Sequence, residues 1–403
     1  MVDSDPSAMP DIPIPILQEV FKQCFSEPLQ VYDSEAHDFP WYLGHVCSQW
    51  RALFFSMRST FWNRIEIEWY NYGPLEPGQF TKRIEEIAAF FLDRTCGAPF
   101  SFKFCMKRRY TYDVRPILMR LIVHSEQWEE VSIDLHPYEL VYFCGAKGRL
   151  PLLKMLDIYV REDENTGDTI PSMVANVFED APRLTHVVLW DTPWSQFKFN
   201  WSSLTIVDFQ QSLDIPRNIL PTLKETINLV ELIIEHEFPA GLESELIHLP
   251  HLKSLSVDNV AFLTCLDTPF LQQLKIDCYL TLSNNLHSTD VIGAFLARSG
   301  IKLSTLVIKH GPAATVTEIL RLTPEVDRLV LLGISDIAGV FEWLAGTGTQ
   351  RRKNLNVLWV CSKSEGDDEG QGALLDAHRN PPGDVRDPSL RRVIMESATA
   401  TVH

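Results

Sequence analysis

The chain lacks the sequence patterns on which most enzyme and metal sites depend. Its 403 residues contain no glycine-rich phosphate-binding loop, no Gly-x-Ser-x-Gly nucleophile motif and no His-Glu-x-x-His zinc motif. Its eight cysteines include no Cys-x-x-Cys pair, and most lie among apolar neighbours, as expected of reduced packing residues. We therefore expect no catalytic residue, no metal site and no cofactor, and we predict that the protein is not an enzyme.

Positive charge and long apolar runs are also scarce. The 36 Lys and Arg residues are outnumbered by 53 Asp and Glu residues, which gives a formal net charge of -17. This balance argues against binding to nucleic acid or to an anionic membrane, because both require positive potential. No stretch approaches the ~18 apolar residues of a membrane helix, and the first residues do not resemble a signal peptide. We expect an intracellular protein of the cytoplasm or nucleus.

A tryptophan-rich motif near the amino terminus stands out among the residues that are present. It runs over residues 41–51 and is followed by Phe61-Trp62. Its apolar residues at positions i, i+3, i+4 and i+7 are Leu43, Val46, Cys47 and Trp50. This spacing predicts one helix with an apolar stripe, which must be buried against something.

A second short amphipathic helix is predicted over residues 12–25, with prolines placed where a first helical turn tolerates them. Its apolar face comprises Ile16, Leu17, Val20, Phe21, Cys24 and Phe25. Two or three helices within about fifty residues bury too little surface to be stable alone. The rest of the chain or a partner must cover them.

The larger part of the sequence repeats a Leu-x-x-Leu-x-Leu-like hexad. The ten hexads begin at Trp128, Leu153, Leu184, Leu204, Leu229, Leu252, Leu271, Leu303, Val326 and Leu355. Their starts are 19 to 32 residues apart, which brackets the leucine-rich repeat period. We expect each hexad to end in a short strand and each return segment to place the next strand beside it.

The return segments are predicted to vary in structure. Helices are expected at 172–179, 291–298, 316–322 and 340–344, and a turn at 216–220. The predicted fold is α/β: a helical head followed by an irregular leucine-rich-repeat solenoid, with parallel strands on the concave face and helices or turns outside. A parallel β-helix is the structural alternative.

Between the head and the hexads, apolar periodicity predicts a helix at 80–94, a strand at 99–104 and a helix at 115–125. The polar, acidic stretch after Ser362 cannot bury enough apolar surface to order itself. The predicted segments are a disordered start (1–10), a helical head (11–70), a helix and strand linker unit (75–127), the repeats (128–361) and a mostly disordered tail (362–403).

The head resembles the F-box, and in particular the F-box-like proteins abundant in mushroom-forming fungi. That family begins with Leu-Pro, Glu-Ile-Leu and Ile-Phe, where this chain has Ile12-Pro13, Pro15-Ile16-Leu17 and Val20-Phe21. Its second half, Leu-Gly-x-Val-Cys-x-x-Trp-Arg and then Leu-Trp, is similar to residues 43–51 and Phe61-Trp62. Ile12 in place of Leu and Pro15 in place of Glu are departures. The similarity extends over about residues 10 to 360.

The resemblance implies a substrate-recognition subunit of a cullin-RING (SCF-type) ubiquitin ligase. Its F-box would dock on a Skp-type adaptor, and through it on a cullin, while its repeats would bind a protein client. By the family pattern, the residues that carry or support the adaptor contact are Ile12, Pro13, Leu17, Val20, Leu43, Val46, Cys47, Trp50 and Trp62.

Several residues at the ends of repeat strands are candidates for client binding. They are Trp190, Trp194, Glu235, His236 and Glu237. Exposed tryptophans dominate many binding surfaces, although these tryptophans, together with Trp201, would equally suit the interior of a solenoid.

Two other functions are compatible with the same residues. The first is a leucine-rich-repeat interaction scaffold, in which the F-box-like head is only an internal cap and no ligase is involved. The second is a hydrolase within the repeats, which would require a nucleophile and a base that converge in one cleft.

Overall fold

The structure is a computed structural model that describes residues 12–23, 28–32, 35–37, 39–69, 77–106, 113–160, 170–190, 194–210, 215–235, 245–278, 288–345, 355–361 and 392–396. The chain forms two compact units, Met1–Ser203 and Leu204–His403. Within the described ranges, every helix is too short or too polar to cross a bilayer. The predicted start, residues 1–10, lies outside the described residues.

The first unit begins with helix α1, Ile14–Gln23. Leu17 and Phe21, four residues apart on one helix face, are buried. Two short strands follow, β1 (Leu29–Tyr32) and β2 (Glu35–His37), which pair antiparallel. The prediction of a purely helical head is therefore wrong. Apolar residues alternate along β1, where Leu29 and Val31 are buried, and this period of two is that of a strand.

The tryptophan-rich motif does not form the single helix that its spacing predicts. It forms a 3-10 helix, Trp41–His45, and then a separate helix, α2 (Ser48–Ser56). Cys47 adopts an extended backbone as the N-cap of α2, and the Trp50 amide donates to its Sγ at 3.5 Å. An N-cap residue lies outside the helix that it precedes, so Leu43 and Trp50 belong to different elements.

Aromatic side chains fill the interior of the head. Trp62 follows the short helix α3 (Arg58–Phe61) and is fully buried. Its ring centroid lies 5.0 Å from Phe39 and 5.6 Å from Phe54. Such ring distances are typical of packed aromatic clusters, which contribute much of the burial in a small core.

The rest of the first unit alternates strands with helices or turns. Its elements are β3 (Arg64–Trp69), α4 (Pro77–Thr95), β4 (Phe100–Met106), α5 (Arg115–Val123), β5 (Trp128–Leu135), β6 (Met155–Val160) and β7 (His186–Trp190). Strands β1, β3, β4, β5, β6 and β7 pair in that order, all parallel. The predicted helix, strand and helix between the head and the hexads are confirmed. The domain boundaries near residues 75 and 128 remain predictions, and strand pairing continues across both positions.

The second unit repeats the same alternation. Its elements are β8 (Ile206–Gln210), α6 (Ile215–Glu225), β9 (Glu231–Glu235), β10 (Ile247–His248), β11 (Ser254–Val257), β12 (Leu266–Asp267), β13 (Gln273–Asp277), α7 (Ser288–Ser299), β14 (Thr305–Gly311), α8 (Ala313–Leu322), β15 (Arg328–Ile334), α9 (Ile337–Ala345), β16 (Val357–Cys361) and β17 (Arg392–Glu396). The strands β8, β9, β11, β13, β14, β15, β16 and β17 pair parallel in that order. β10 and β12 form a separate parallel pair.

Each of the ten hexads contains a strand, as predicted. The fourth residues of successive hexads are register partners, so Leu232, Leu255, Leu274, Leu306 and Leu329 form one row, which we call the leucine ladder. All five are buried. The described chain is thus a mixed α/β structure with long runs of parallel strands, which is compatible with an α/β solenoid.

Two predictions for the return segments are wrong. Residues 172–179 form turns instead of a helix: the Ala175 amide donates to the Ser172 carbonyl, three residues back, and the Ala175 carbonyl accepts the Lys198 amide at 2.7 Å. Residues 216–220 lie in helix α6 instead of a turn, since Pro216 falls in the first turn and apolar Ile219 and Leu223 are buried. The helices predicted at 291–298, 316–322 and 340–344 are confirmed as parts of α7, α8 and α9.

The described part of the predicted tail is the strand β17. Its residues pair parallel with β16, Val393 with Leu358 and Ile394 with Trp359. Apolar and β-branched residues suit this pairing, although the surrounding composition is polar. Residues 362–391 and 397–403 lie outside the described residues.

Candidate interaction surfaces

Helix α1 carries an exposed apolar face. Ile16 and Val20 are 55% and 43% exposed, whereas Leu17, the residue next to Ile16, is 1% exposed. Pro13 is exposed just before the helix, and its carbonyl accepts the Leu17 amide at 3.1 Å. We call Pro13, Ile16 and Val20 the α1 surface. Because Leu17 and Phe21 already bury the inner face, the exposed outer stripe adds little to the packing of the described part of the head.

The predicted adaptor-binding residues divide into three groups by burial. Leu17, Leu43 and Trp62 are buried, and Ile12, Cys47 and Trp50 are half-buried. Pro13, Val20 and Val46 are exposed. The buried residues hold the head together and are not available for direct contact in this structure.

Trp50 links the two helices of the head. Its ring centroid lies 5.0 Å from that of Phe21, so α2 packs against the inner face of α1. Sequence reasoning did not name Ile14, Ile16 and Tyr42 as candidates, although all three are large exposed apolar residues. Ile16 and Val20 are four residues apart and form a second apolar stripe on α1, beside the stripe of Leu17 and Phe21. This second stripe is the sequence signal that distinguishes the exposed Ile16 from the buried Leu17.

The predicted client-binding residues lie in different settings. Trp190 ends strand β7, where it is half-buried and pairs in register with Tyr159. Trp194 begins a 3-10 turn, and its side chain lies outside the described part of the structure, as do His236 and Glu237. Trp201 is buried, as the alternative interpretation of these tryptophans predicts. Glu235 ends β9 within a cluster of charged side chains.

This cluster lies on one face of the second unit. Side chains alternate along a strand, so the fifth and seventh residues counted from a hexad start point away from the leucine ladder. The polar residues at these positions are Asp208, Gln210, Glu235, Ser256, Asp258, Lys275, Asp277 and Lys309. We call this set, on β8 to β14, the strand-end cluster.

Ion pairs connect four of the strands or their ends. Lys275 Nζ lies 3.2 Å from Glu235 Oε1, and Lys309 Nζ lies 3.5 Å from the same oxygen. Lys309 Nζ is also 3.8 Å from Asp258 Oδ1. These contacts join residues that are far apart in sequence and that only the parallel register brings together.

Burial and charge shift the ionisation of the cluster. Burial raises the pKa of Asp208 to about 7, although the Gln210 amide donates to its Oδ2 at 2.8 Å and opposes the shift. Burial likewise raises the pKa of Asp258 to about 6. Burial also opposes the ionisation of Glu235, but Lys309 and Lys275 outweigh it and lower the pKa of Glu235.

Two buried polar atoms in the cluster have no hydrogen-bond partner among the residues that the structure describes. They are Asp208 Oδ1 and Ser256 Oγ, in residues that are 3% and 5% exposed. Both residues occupy the fifth hexad position, and each is a register partner of Ile233 on β9. Most buried polar atoms in proteins are satisfied, so two such atoms in one row are unusual.

A strained histidine lies beside the cluster. His310 Nδ1 is 2.9 Å from Asp277 Oδ2, and the His310 backbone has a φ of 43°, which is uncommon for a residue with a side chain. Gly333, with a φ of 61°, packs on its ring, since a Cβ there would lie 2.8 Å from His310 Cδ2. Burial raises the pKa of the neighbouring Cys278 thiol to about 12, so no thiolate accompanies this histidine at neutral pH.

Within the described ranges, no three His, Cys, Asp or Glu side chains are grouped to hold a metal ion. Comparison of the chain with protein-family models and with curated proteins finds no match. The F-box resemblance therefore remains a prediction from the residues that carry it.

Proposed function

We propose that the protein is the substrate-recognition subunit of a cullin-RING ubiquitin ligase of the SCF type. The observation that supports this most is the α1 surface, where Ile16 and Val20 are exposed although the inner face of the same helix is fully packed. An exposed apolar helix face is a common way for one protein to dock on another. The resemblance of the head to the F-box gives the partner as a Skp-type adaptor.

In this role the protein forms and breaks no covalent bond. The head holds the adaptor and, through it, the cullin, while the strand faces of the repeats hold a protein client. Trp190 and Glu235 are the described client-binding candidates that lie at the ends of such strands. The client would be modified by the ligase subunits that the cullin carries.

The test is capture of a purified Skp-type adaptor by the full chain. We expect Ile16→Asp and Val20→Asp to abolish capture, because a carboxylate on the α1 surface cannot be buried at an apolar interface. Lys22→Ala changes the charge by the same amount at an exposed site. Lys22 comes two residues after Val20 and so points about 200° away around the helix. This control should bind normally, and equal capture by all four proteins would contradict the proposed face.

The alternative is a repeat scaffold whose head is only a cap. Two observations favour it: Trp62 packs inside the head, and β1 of the head pairs with β3 of the same sheet as the repeats. A wild-type chain that fails to capture the adaptor, under conditions in which a standard F-box succeeds, would support the scaffold and exclude the ligase.

A further inference from the structure

The strand-end cluster contains more negative than positive charge. Four carboxylates, on Asp208, Glu235, Asp258 and Asp277, accompany the two ammonium groups of Lys275 and Lys309. The Glu235 carboxylate forms ion pairs with both lysines, at 3.2 Å and 3.5 Å. The Asp258 carboxylate pairs with Lys309 at the longer distance of 3.8 Å. Above pH 7, where Asp208 and Asp258 are ionised, the ion pairs within the cluster therefore leave a formal excess of two negative charges, apart from the contact between Asp277 and His310.

The open oxygen of Asp208 indicates what kind of ligand group the cluster would accept. Within the described residues, Asp208 Oδ1 receives no hydrogen bond, and the Ser256 hydroxyl, which can donate as well as accept, makes none. Gln210 occupies Asp208 Oδ2 with one N–H donor, which leaves the second oxygen of the carboxylate open. A ligand group that both donates hydrogen bonds and carries positive charge satisfies the open acceptor and the charge excess together.

Three members of the seventh-position row, Glu235, Asp258 and Lys309, are partly exposed, whereas Gln210 and Asp277 in the same row are buried. The side chains of Glu235, Asp258 and Lys309 are 26%, 21% and 22% exposed. The fifth-position row, with Asp208 and Ser256, is more deeply buried. Contact with the buried Asp208 Oδ1 therefore requires a long side chain that enters between the exposed members, and the flexible stems of arginine and lysine suit this requirement.

We propose that the strand-end cluster binds a basic side chain, arginine or lysine, presented by an extended segment of the protein client. The identification of the ligand as a client rests on the proposed function, but the binding itself does not depend on the adaptor. The incoming cation replaces part of the contact that Lys275 and Lys309 make with Glu235 and donates to Asp208 Oδ1. A negatively charged peptide is excluded by the same charge excess.

The test uses the full chain and a fluorescein-labelled Gly-Ser peptide that carries four arginines, measured by anisotropy at pH 8 and 0.15 M salt, where Asp208 is ionised. A second peptide replaces each arginine by citrulline, which keeps the shape and removes the charge. We expect wild-type protein to bind the arginine peptide and not the citrulline peptide. Asp208→Asn and Asp258→Asn should each weaken binding about tenfold, because each removes a charged acceptor.

Asp327→Asn is the matched control. Asp327 is exposed in the same unit, just before β15 and so at the other end of the strands, and its replacement removes the same charge. Its binding should stay within about twofold of wild type, since exposed charges are screened by salt. Equal weakening by all three variants would mean that only the overall charge of -17 attracts the peptide, and it would overturn the proposal.

Other outcomes are equally decisive. Equal binding of the citrulline peptide, or binding of spermidine without binding of the arginine peptide, would overturn the assignment to a basic peptide side chain. Adaptor capture and peptide binding use different surfaces, so each can fail alone. Peptide binding without adaptor capture would retain this site and reject the ligase, whereas the reverse would retain the ligase and reject this site.

Discussion

The α1 surface and the strand-end cluster expose opposite chemistry. The α1 surface presents exposed apolar side chains with no charge among them, whereas the cluster holds charged side chains that are mostly buried. An exposed isoleucine contributes little to the stability of its own chain, but a buried carboxylate affects stability directly. Mutations of the first surface should therefore change binding alone, and mutations of the second should change both binding and stability.

The largest expected effect tests this division within the head. Leu17→Asp places a carboxylate in the packed face of α1 and should destabilise the head by about 4 kcal/mol. Ile16→Asp, one residue away, should change stability by less than about 0.5 kcal/mol because Ile16 is exposed. Urea unfolding followed by tryptophan fluorescence compares the two. Similar losses would show that the two residues do not differ in burial.

The second effect concerns pH and the cluster. The pKa of Asp208 is raised from 3.8 to about 7 in the folded state, so its contribution to stability is complete below pH 4 and is lost as pH rises toward 7. Asp208→Asn should reduce this decline by on the order of 3 kcal/mol.

Thermal unfolding midpoints between pH 4 and pH 7 measure that slope. Asp327→Asn, whose carboxylate is exposed, should keep the wild-type slope. Part of the decline should persist in Asp208→Asn, because the pKa of Asp258 is also raised, to about 6. An unchanged slope in Asp208→Asn would contradict the burial of that carboxylate.

A third, smaller effect is expected at Glu235. Glu235→Gln removes the carboxylate that both Lys275 and Lys309 approach and leaves two half-buried ammonium groups close together. We expect a loss of about 2 kcal/mol at pH 7. Glu179→Gln, at an exposed glutamate, is the matched control. Equal midpoints of urea unfolding for the two variants would mean that these ion pairs contribute nothing.

The smallest effect is expected at Gly333. Gly333→Ala introduces a side chain at a φ of 61° and brings its Cβ to 2.8 Å from the His310 ring. A cost of about 1 kcal/mol is expected from the backbone alone. The His310 side-chain resonance in NMR should shift as the ring moves from Asp277. Gly97→Ala, also at positive φ but with open space around its Cβ, should cost similar stability and leave that resonance unchanged.

Local periodicity predicted the strands well and the connections less well. Each hexad contains a strand because its alternating leucines define the buried side wherever the neighbouring strand lies. The segment 172–179 has the apolar spacing of a helix, but the Ala175 carbonyl bonds to Lys198, more than twenty residues away. A contact of that kind is not visible in a local pattern.

The candidate surfaces could also be predicted only in part, because they depend on contacts between residues that are distant in sequence. The sequence indicates Glu235 because it follows a predicted strand, but it does not indicate Asp208 or Ser256, since neither is unusual within its own hexad. Their significance depends on parallel register, which places Asp208 and Ser256 on either side of Ile233. In the head, the spacing of apolar residues predicted a single stripe where the N-cap at Cys47 divides the motif into two elements.

The leucine ladder has a further consequence for how this protein can diverge. Deleting one residue within β9 would move Glu235 into the position of Ile234 and turn a carboxylate toward the core, whereas a connecting segment can lengthen without disturbing either the leucine ladder or the strand-end cluster. Substitutions at the seventh hexad position likewise leave the ladder intact. Selection can therefore alter ligand preference one strand at a time while the repeat architecture stays constant.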